Sequence, residues 1–157
     1  MICMNNILPS TTNRVATYTN PDVNEMIRRN TLENLTYMEN ADEAELSHRI
    51  RKLNSEWDTE RLVEAKAALC VMGCSMLGMS KKKFWPFLTL IAGTFLLQHA
   101  LLGWCPSAPL MRRMGIRTAE EINQEKMVLK LLRKDFSHAK SNDVKELLKA
   151  ADRKSVV

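Results

Sequence analysis

Residues 84–107 read Phe-Trp-Pro-Phe-Leu-Thr-Leu-Ile-Ala-Gly-Thr-Phe-Leu-Leu-Gln-His-Ala-Leu-Leu-Gly-Trp-Cys-Pro-Ser, with no charged side chain. Roughly 20 helical residues cross the hydrocarbon core of a bilayer, so this run is long enough to span it. Trp85 and Trp104 lie near its two ends, where indole rings settle among lipid headgroups. The run therefore predicts a membrane-spanning helix.

A second uncharged run, residues 67–80, precedes the first and is separated from it by Lys81, Lys82 and Lys83. Counted from Leu62 it reaches about 18 residues, with Glu64 and Lys66 close enough to its end to lie among headgroups. Backbone groups in lipid are satisfied only within helices or closed barrels. The two runs together predict a two-helix transmembrane hairpin.

A soluble helical bundle is the alternative for the same two runs, with the uncharged helices forming its core. Gln98 and His99 are polar groups inside the longer run, and lipid resists such groups. The length of the run and its terminal aromatic residues favour the membrane.

The fold class expected for the whole chain is all-α, because no run has the alternating, β-branched pattern of a strand. We divide the 157 residues into a flexible leader (1–18), a helical cytosolic arm (19–60), the hairpin (61–117) and a basic amphipathic helical tail (118–157). Basic residues flank the hairpin at both ends and favour cytoplasmic termini, although the three lysines of its turn conflict with that rule.

The two arms carry amphipathic helices with recognisable beginnings. Asn20 before Pro21 predicts the start of a first helix that runs to about Glu39, and Asn40 with Glu43 predicts the start of a second. The apolar stripe of the second helix comprises Leu46, Ile50, Leu53 and Trp57. In the tail a capping box at 118–121 begins a helix with the stripe Ile122, Leu129, Leu132 and Phe136, and Asn142 is a candidate cap for a last short helix.

Several function classes are disfavoured by what the sequence lacks. None of the five glycines lies in a phosphate-binding motif, and no cofactor is expected. The net charge of +5 comes with interleaved acidic residues and no aromatic stacking platform, which argues against nucleic-acid binding. No catalytic constellation and no metal-ligand spacing is visible, so we expect no enzymatic activity.

Four side chains of the hairpin are candidates for chemistry. Cys70 and Cys74 lie one turn apart on the first helix, and Cys105 follows the second, where it should face Leu62 to Lys66 in an antiparallel pair. Thiols so placed suit a sulfur relay or a soft metal. Close packing through Cys70, Cys74 and Gly78, with Thr89 and Gly93 opposite, explains the same spacing without chemistry and is the favoured interpretation.

His99 is the only imidazole within the apolar runs. An ionisable side chain in the membrane is by default a candidate functional residue. The other interpretation is a hydrogen bond across the hairpin, to Glu64 or Ser75.

The stretch 98–116 resembles the end of the YgaP-like inner-membrane transmembrane hairpin domain. The residues that carry the resemblance are Gly103-Trp104-Cys105-Pro106, then Leu110, then Gly115-Ile116. The resemblance covers about residues 60–117. The resemblance implies a membrane hairpin that associates as a dimer and, where it is fused to a sulfurtransferase, a link to sulfur metabolism.

The resemblance does not carry enzymatic activity to this chain, because residues 1–60 are too few and too helical for a sulfurtransferase domain. We expect a bacterial inner-membrane protein with both termini cytoplasmic, acting as an anchor or scaffold through helix association. Its expected partners are the lipid bilayer, a second copy of itself and a protein of sulfur metabolism. The alternative is a thiol-dependent carrier or transport subunit for a sulfur species, using the hairpin cysteines.

Overall fold

The computed structural model describes residues 10, 12–78, 84–137 and 147. Seven helices account for most of them, and no strand occurs in these ranges, which confirms the all-α prediction. In chain order they are α1 (Arg14–Thr17), α2 (Pro21–Met38), α3 (Glu43–Ser55), α4 (Thr59–Gly78), α5 (Phe84–Leu102), α6 (Ala108–Arg113) and α7 (Ala119–Leu132). The predicted turn lysines and the last short helix lie outside the described residues.

The helices of the first arm begin at capping side chains. The Asn20 carboxamide oxygen accepts a hydrogen bond from the Asp22 N–H at 2.8 Å, and α2 follows as predicted. The cap of α3 is Asp42 rather than Asn40, and its carboxylate accepts from the Glu45 N–H at 2.7 Å. Asp42 carries a charge that also interacts favourably with the helix dipole.

The predicted stripe of α3 is right for three members and wrong for the fourth. Leu46, Ile50 and Leu53 are buried, whereas Trp57 is 53% exposed. The helix ends at Ser55 because Glu56 has an extended backbone, so Trp57 no longer follows the helical repeat. Its ring lies under the Arg61 guanidinium, 5.5 Å from the centroid.

The described residues form two compact units that do not follow the linear division of the chain. Unit 1 combines the residues up to Glu25 with Trp57–Ala119, and unit 2 combines Met26–Glu56 with the residues from Glu120 onward. Each unit is therefore built from segments on both sides of a long insertion in sequence.

Unit 2 has an apolar core contributed by α3 and α7. Leu46, Ile50 and Leu53 of α3 pack with Ile122 and Leu129 of α7. The predicted stripes of the two arms thus pack on each other. Partly buried side chains cover the edges of this core: Leu35, Met38, Ala41 and Leu132.

Two ion pairs flank this core. Glu125 is 1% exposed and accepts from Arg49 through Nε at 2.9 Å and Nη2 at 2.7 Å. Arg133 binds both carboxylate oxygens of Asp135, at 2.8 and 2.6 Å, and donates to the Ser47 hydroxyl at 2.7 Å. The hydrogen bonds to Asp135 raise the pKa of the Arg133 guanidinium. In both pairs, the attraction between opposite charges compensates for the free-energy cost of removing the charged groups from water.

Unit 1 is centred on α4 and α5, which pack against each other along their lengths. The end of α4 lies beside the start of α5, because a Cβ placed on Gly78 would be 3.6 Å from the Trp85 Cβ. At the other end, Val63 of α4 packs with Cys105, just beyond α5. The two helices are therefore antiparallel.

The predicted flexible leader is wrong for the part that the structure describes. Arg14–Thr17 form a helical turn, and Val15 is buried. The Arg14 guanidinium donates to the Ala100 carbonyl at 2.7 Å and to a Glu60 carboxylate oxygen at 2.9 Å. These partners are 86 and 46 residues away in sequence, so local composition gives no sign of them.

The C-terminus of α5 closes on Gly103, which has a φ of +76°. Its N–H donates to the His99 carbonyl at 2.7 Å, the bond of a left-handed helix cap. A Cβ at this position would lie 2.6 Å from the Arg14 Cγ. Glycine is therefore required here both by the backbone conformation and by the close approach of Arg14.

The helix α6 ends in a Schellman motif at the second motif glycine. The Ile116 N–H donates to the Met111 carbonyl and the Gly115 N–H to the Arg112 carbonyl, with Gly115 at a φ of +83°. Ile116 then packs beside Met111 in the apolar cluster of unit 1. Unlike Gly103, Gly115 has open space where a Cβ would point.

Replacing Glu125 by Gln should destabilise unit 2 by about 3 kcal/mol, because Arg49 would keep its burial and lose its countercharge. Amide hydrogen exchange in α3 and α7 measures this loss of local stability. Glu120→Gln, at the half-buried first turn of the same helix, should cost less than about 1 kcal/mol. Equal losses of stability in the two variants would contradict a specific contribution of the buried Arg49–Glu125 pair.

Replacing Gly103 by Ala should lower stability by about 1–3 kcal/mol, because the new methyl group meets Arg14 and the backbone conformation disfavours a Cβ. Gly115→Ala should lower stability by only about 1 kcal/mol, because its methyl group finds open space and only the backbone conformation is unfavourable. Thermal unfolding of the detergent-purified protein compares the two. Adding Arg14→Ala to Gly103→Ala should restore little of the loss, because the new methyl group would still lie 2.7 Å from the Cβ and 2.8 Å from the backbone carbon of residue 14. Equal losses of stability in Gly103→Ala and Gly115→Ala would contradict the proposed clash.

Candidate functional site

A cavity of about 340 Å³ lies between α4 and α5 in unit 1. Its wall is largely apolar, and its polar members are clustered toward the end where α5 finishes. The lining residues are Val63, Lys66, Ala67, Cys70, Leu88, Ile91, Ala92, Phe95, Leu96, Cys105, Pro106 and Ser107. A largely apolar cavity with a few polar groups at one end is typical of small-molecule sites.

Cys105 lies where the sequence predicts it, beside the beginning of α4. Its side chain is buried against Val63 and the α6 residues Ala108 and Met111. Its Sγ is 3.1 Å from the Ser107 Oγ, and its carbonyl accepts from the Ala108 N–H at 3.1 Å. The cysteine therefore both shapes the turn before α6 and presents sulfur to the cavity.

Cys70 also lines the cavity, so the structure brings two of the three candidate thiols to one space. Cys70 is exposed, and Cys74, one turn further along α4, is buried but does not line the cavity. All three are free thiols. Within the described ranges no group of three or more His, Cys, Asp or Glu side chains is arranged to hold a metal ion.

His99 lies in the last turn of α5 and is only 3% exposed. The expected hydrogen bond to Glu64 or Ser75 is not formed, and neither ring nitrogen has a hydrogen-bond partner in the part of the chain that the structure describes. Arg14, Glu60, Glu64 and Lys66 are close enough to act on its ring electrostatically. His99 thus belongs to the charged end of the helix pair and does not line the cavity.

The predicted track of small residues is only partly a close helix contact. Gly78 meets Trp85 and Pro86 at ordinary contact distances, and Cys74 is buried. At Gly93, however, a Cβ would find no heavy atom within 4 Å. Gly93 therefore does not mark a tight crossing of the two helices.

Several residues of this region carry no local sequence signal. Thr59 is fully buried, and its N–H and hydroxyl both donate to the Arg117 carbonyl, at 2.9 and 3.0 Å. Arg112 is also fully buried and donates to the Ile116 carbonyl at 3.2 Å and to Asn24 Oδ1 at 2.8 Å. These bonds join segments separated by 58 and 88 residues, so only the folded chain reveals them.

The outer surface of the α4–α5 pair is apolar. Among the described helices, α5 alone is long and apolar enough to cross a membrane by length and composition. The first two turns of α4 carry four charged residues, so this helix does not meet the same criterion of length and apolar composition. Large exposed apolar side chains nevertheless occur on both helices: Leu69, Met72, Met76 and Leu77 on α4, and Phe84, Phe87, Leu90, Phe95, Leu97 and Leu101 on α5.

Comparison with known proteins agrees with this picture. Residues 58–121 match the family model described as the transmembrane domain of inner membrane protein YgaP-like. The match begins at Asp58, whose carboxylate caps the start of α4 by accepting from the Arg61 N–H, and ends in the first turn of α7. No curated protein and no solved structure matches the chain. The resemblance seen in the sequence is confirmed over residues 58–121, which are similar to the YgaP-like transmembrane domain, and this match supports a membrane protein.

Proposed function

We propose that this protein is a non-enzymatic anchor of the bacterial inner membrane, in which α4 and α5 form a transmembrane hairpin. The observation that carries the proposal is the exposed apolar surface of both helices. Leu69 and Met76 of α4 are 67% and 72% exposed, and Leu90 of α5 is 66% exposed. Water makes such a continuous surface unfavourable, and lipid does not.

The lengths of the two helices support the same arrangement. The 19 residues of α5 extend about 28 Å at helical rise, close to the hydrocarbon thickness. The 20 residues of α4 are as long, and their charged side chains are confined to the first two turns, where Lys66 and Arg61 can extend to the headgroups. The same exposed surface argues against the soluble bundle.

Both termini are placed in the cytoplasm in this proposal. The charged side chains of unit 1 gather at one end of the helix pair, where Arg14, Glu60 and Arg112 lie. That end also carries Arg113 and Arg117, in keeping with the excess of basic residues on the cytoplasmic side of membrane proteins. The helical unit 2 then lies in the cytoplasm. Association as a dimer, which the resemblance to the hairpin family implies, is part of the same proposal.

The membrane arrangement predicts that the full chain stays in the membrane pellet after alkaline carbonate extraction. In a cysteine-free variant, a single Phe84→Cys at the exposed start of α5 should react with an impermeant maleimide on intact cells. Ser55→Cys at the end of α3 should react only after permeabilisation. The reverse labelling would invert the orientation, and release by carbonate would contradict the anchor itself.

A thiol-dependent carrier of a sulfur species is the second candidate function. It is favoured by one observation, that Cys70 and Cys105 line the same cavity. Lys66 adds a cation to that wall, which suits an anionic sulfur species. A partner in sulfur metabolism belongs to this candidate rather than to the anchor.

Cysteine variants separate the two candidates. For an anchor, Cys105→Ser and Cys70→Ser should leave the membrane level and the cross-linked dimer unchanged, since each swap removes little volume. For a carrier, either variant should abolish sulfur-dependent growth, whereas Cys74→Ser, outside the cavity, should not. Loss of the dimer in Cys105→Ser alone would contradict the anchor proposal and give this residue a structural role in association.

A further inference from the structure

The cavity between α4 and α5 has the composition of a site for a molecule with a long apolar body and an anionic end. Its deeper wall is formed by Leu88, Ile91 and Ala92 of α5. Its other end carries Lys66 and Ser107, an ammonium group and a hydroxyl. Both are beside the turn that follows α5, at the charged end of the helix pair.

The charges around this end leave the cavity cationic. Glu60 is bound to Arg14 at 2.9 Å, and neither Glu60 nor Glu64 lines the cavity. Among the described residues, Lys66 is the only formally charged one in the lining, and none of their carboxylates forms an ion pair with it. An anion that enters from this end would therefore meet the Lys66 ammonium, for which the described part of the chain offers no carboxylate partner.

We infer that this cavity binds one acyl chain of an anionic phospholipid, with the phosphate at Lys66 and Ser107 and the chain along Leu88, Ile91 and Ala92. The inference rests on the proposed hairpin, because phospholipid then surrounds the cavity. A volume of about 340 Å³ lies at the lower end of the range for small-molecule sites, which suits one chain rather than two. The second chain remains in the bilayer.

An occupant also improves the packing around the cavity. Empty space between two packed helices costs dispersion contacts. A chain of methylene groups supplies those contacts, whereas water would find few polar partners on the same wall. The phospholipid thus completes the packing of the helix pair.

The test is native mass spectrometry of the full chain released from nanodiscs of phosphatidylglycerol and phosphatidylethanolamine with identical chains. The wild-type protein should retain one phosphatidylglycerol in preference to phosphatidylethanolamine. Ala92→Trp fills the cavity and should abolish retention, while Leu90→Trp, on the exposed side of the same helix, should keep it. Lys66→Gln should retain lipid but lose about fivefold of the preference for phosphatidylglycerol, and Arg61→Gln should not.

Equal retention by the two tryptophan variants would overturn the inference, as would an unchanged lipid preference in Lys66→Gln. Retention of added oleic acid in place of phosphatidylglycerol would also overturn it and identify a free fatty acid as the occupant. Helix content and membrane level of Ala92→Trp show whether it folds, and Lys66→Gln tests the site if it does not. A chain that resists carbonate extraction but retains no lipid refutes this inference alone, whereas carbonate release refutes the anchor.

Discussion

The contact of Arg14 with the end of α5 is the interaction on which the rest of unit 1 depends. An apolar helix leaves its last carbonyl groups without intrahelical partners, and the guanidinium supplies one at Ala100 while also binding Glu60 of α4. Gly103 makes the approach possible because it has no Cβ. One side chain from outside the matched segment thus joins both helices of the membrane domain at their charged end.

The sequence predicts the helices of the arms well and their charged contacts poorly. Capping residues and apolar repeats are local signals, so α2 ends within a residue of its predicted end. Glu125 lies within the apolar stripe of α7 and Arg49 at the edge of the α3 stripe, and no local signal predicts that they pair across 76 residues of sequence. The sequence does not predict the contact of Arg14 with the end of α5 for the same reason, since its partners are brought together only by folding.

The candidate site shows a similar division between local and long-range information. The position of Cys105 beside the start of α4 follows from pairing two antiparallel helices, and the structure agrees. The cavity itself cannot be predicted this way, because it depends on where packing is incomplete. The expected close contact at Gly93 is absent. Lys66, which in the sequence is only a charge flanking the apolar run, lines the cavity.

The interleaving of the two units constrains the order of events during synthesis. Residues 26–56 leave the ribosome early, but their core partners Ile122 and Leu129 follow only after the whole membrane domain has been made. The first arm must therefore wait, with its apolar stripe uncovered, until α7 has been made. A chain that stops before Ile122 and Leu129 keeps this stripe exposed, and exposed apolar surface makes such incomplete chains prone to aggregate.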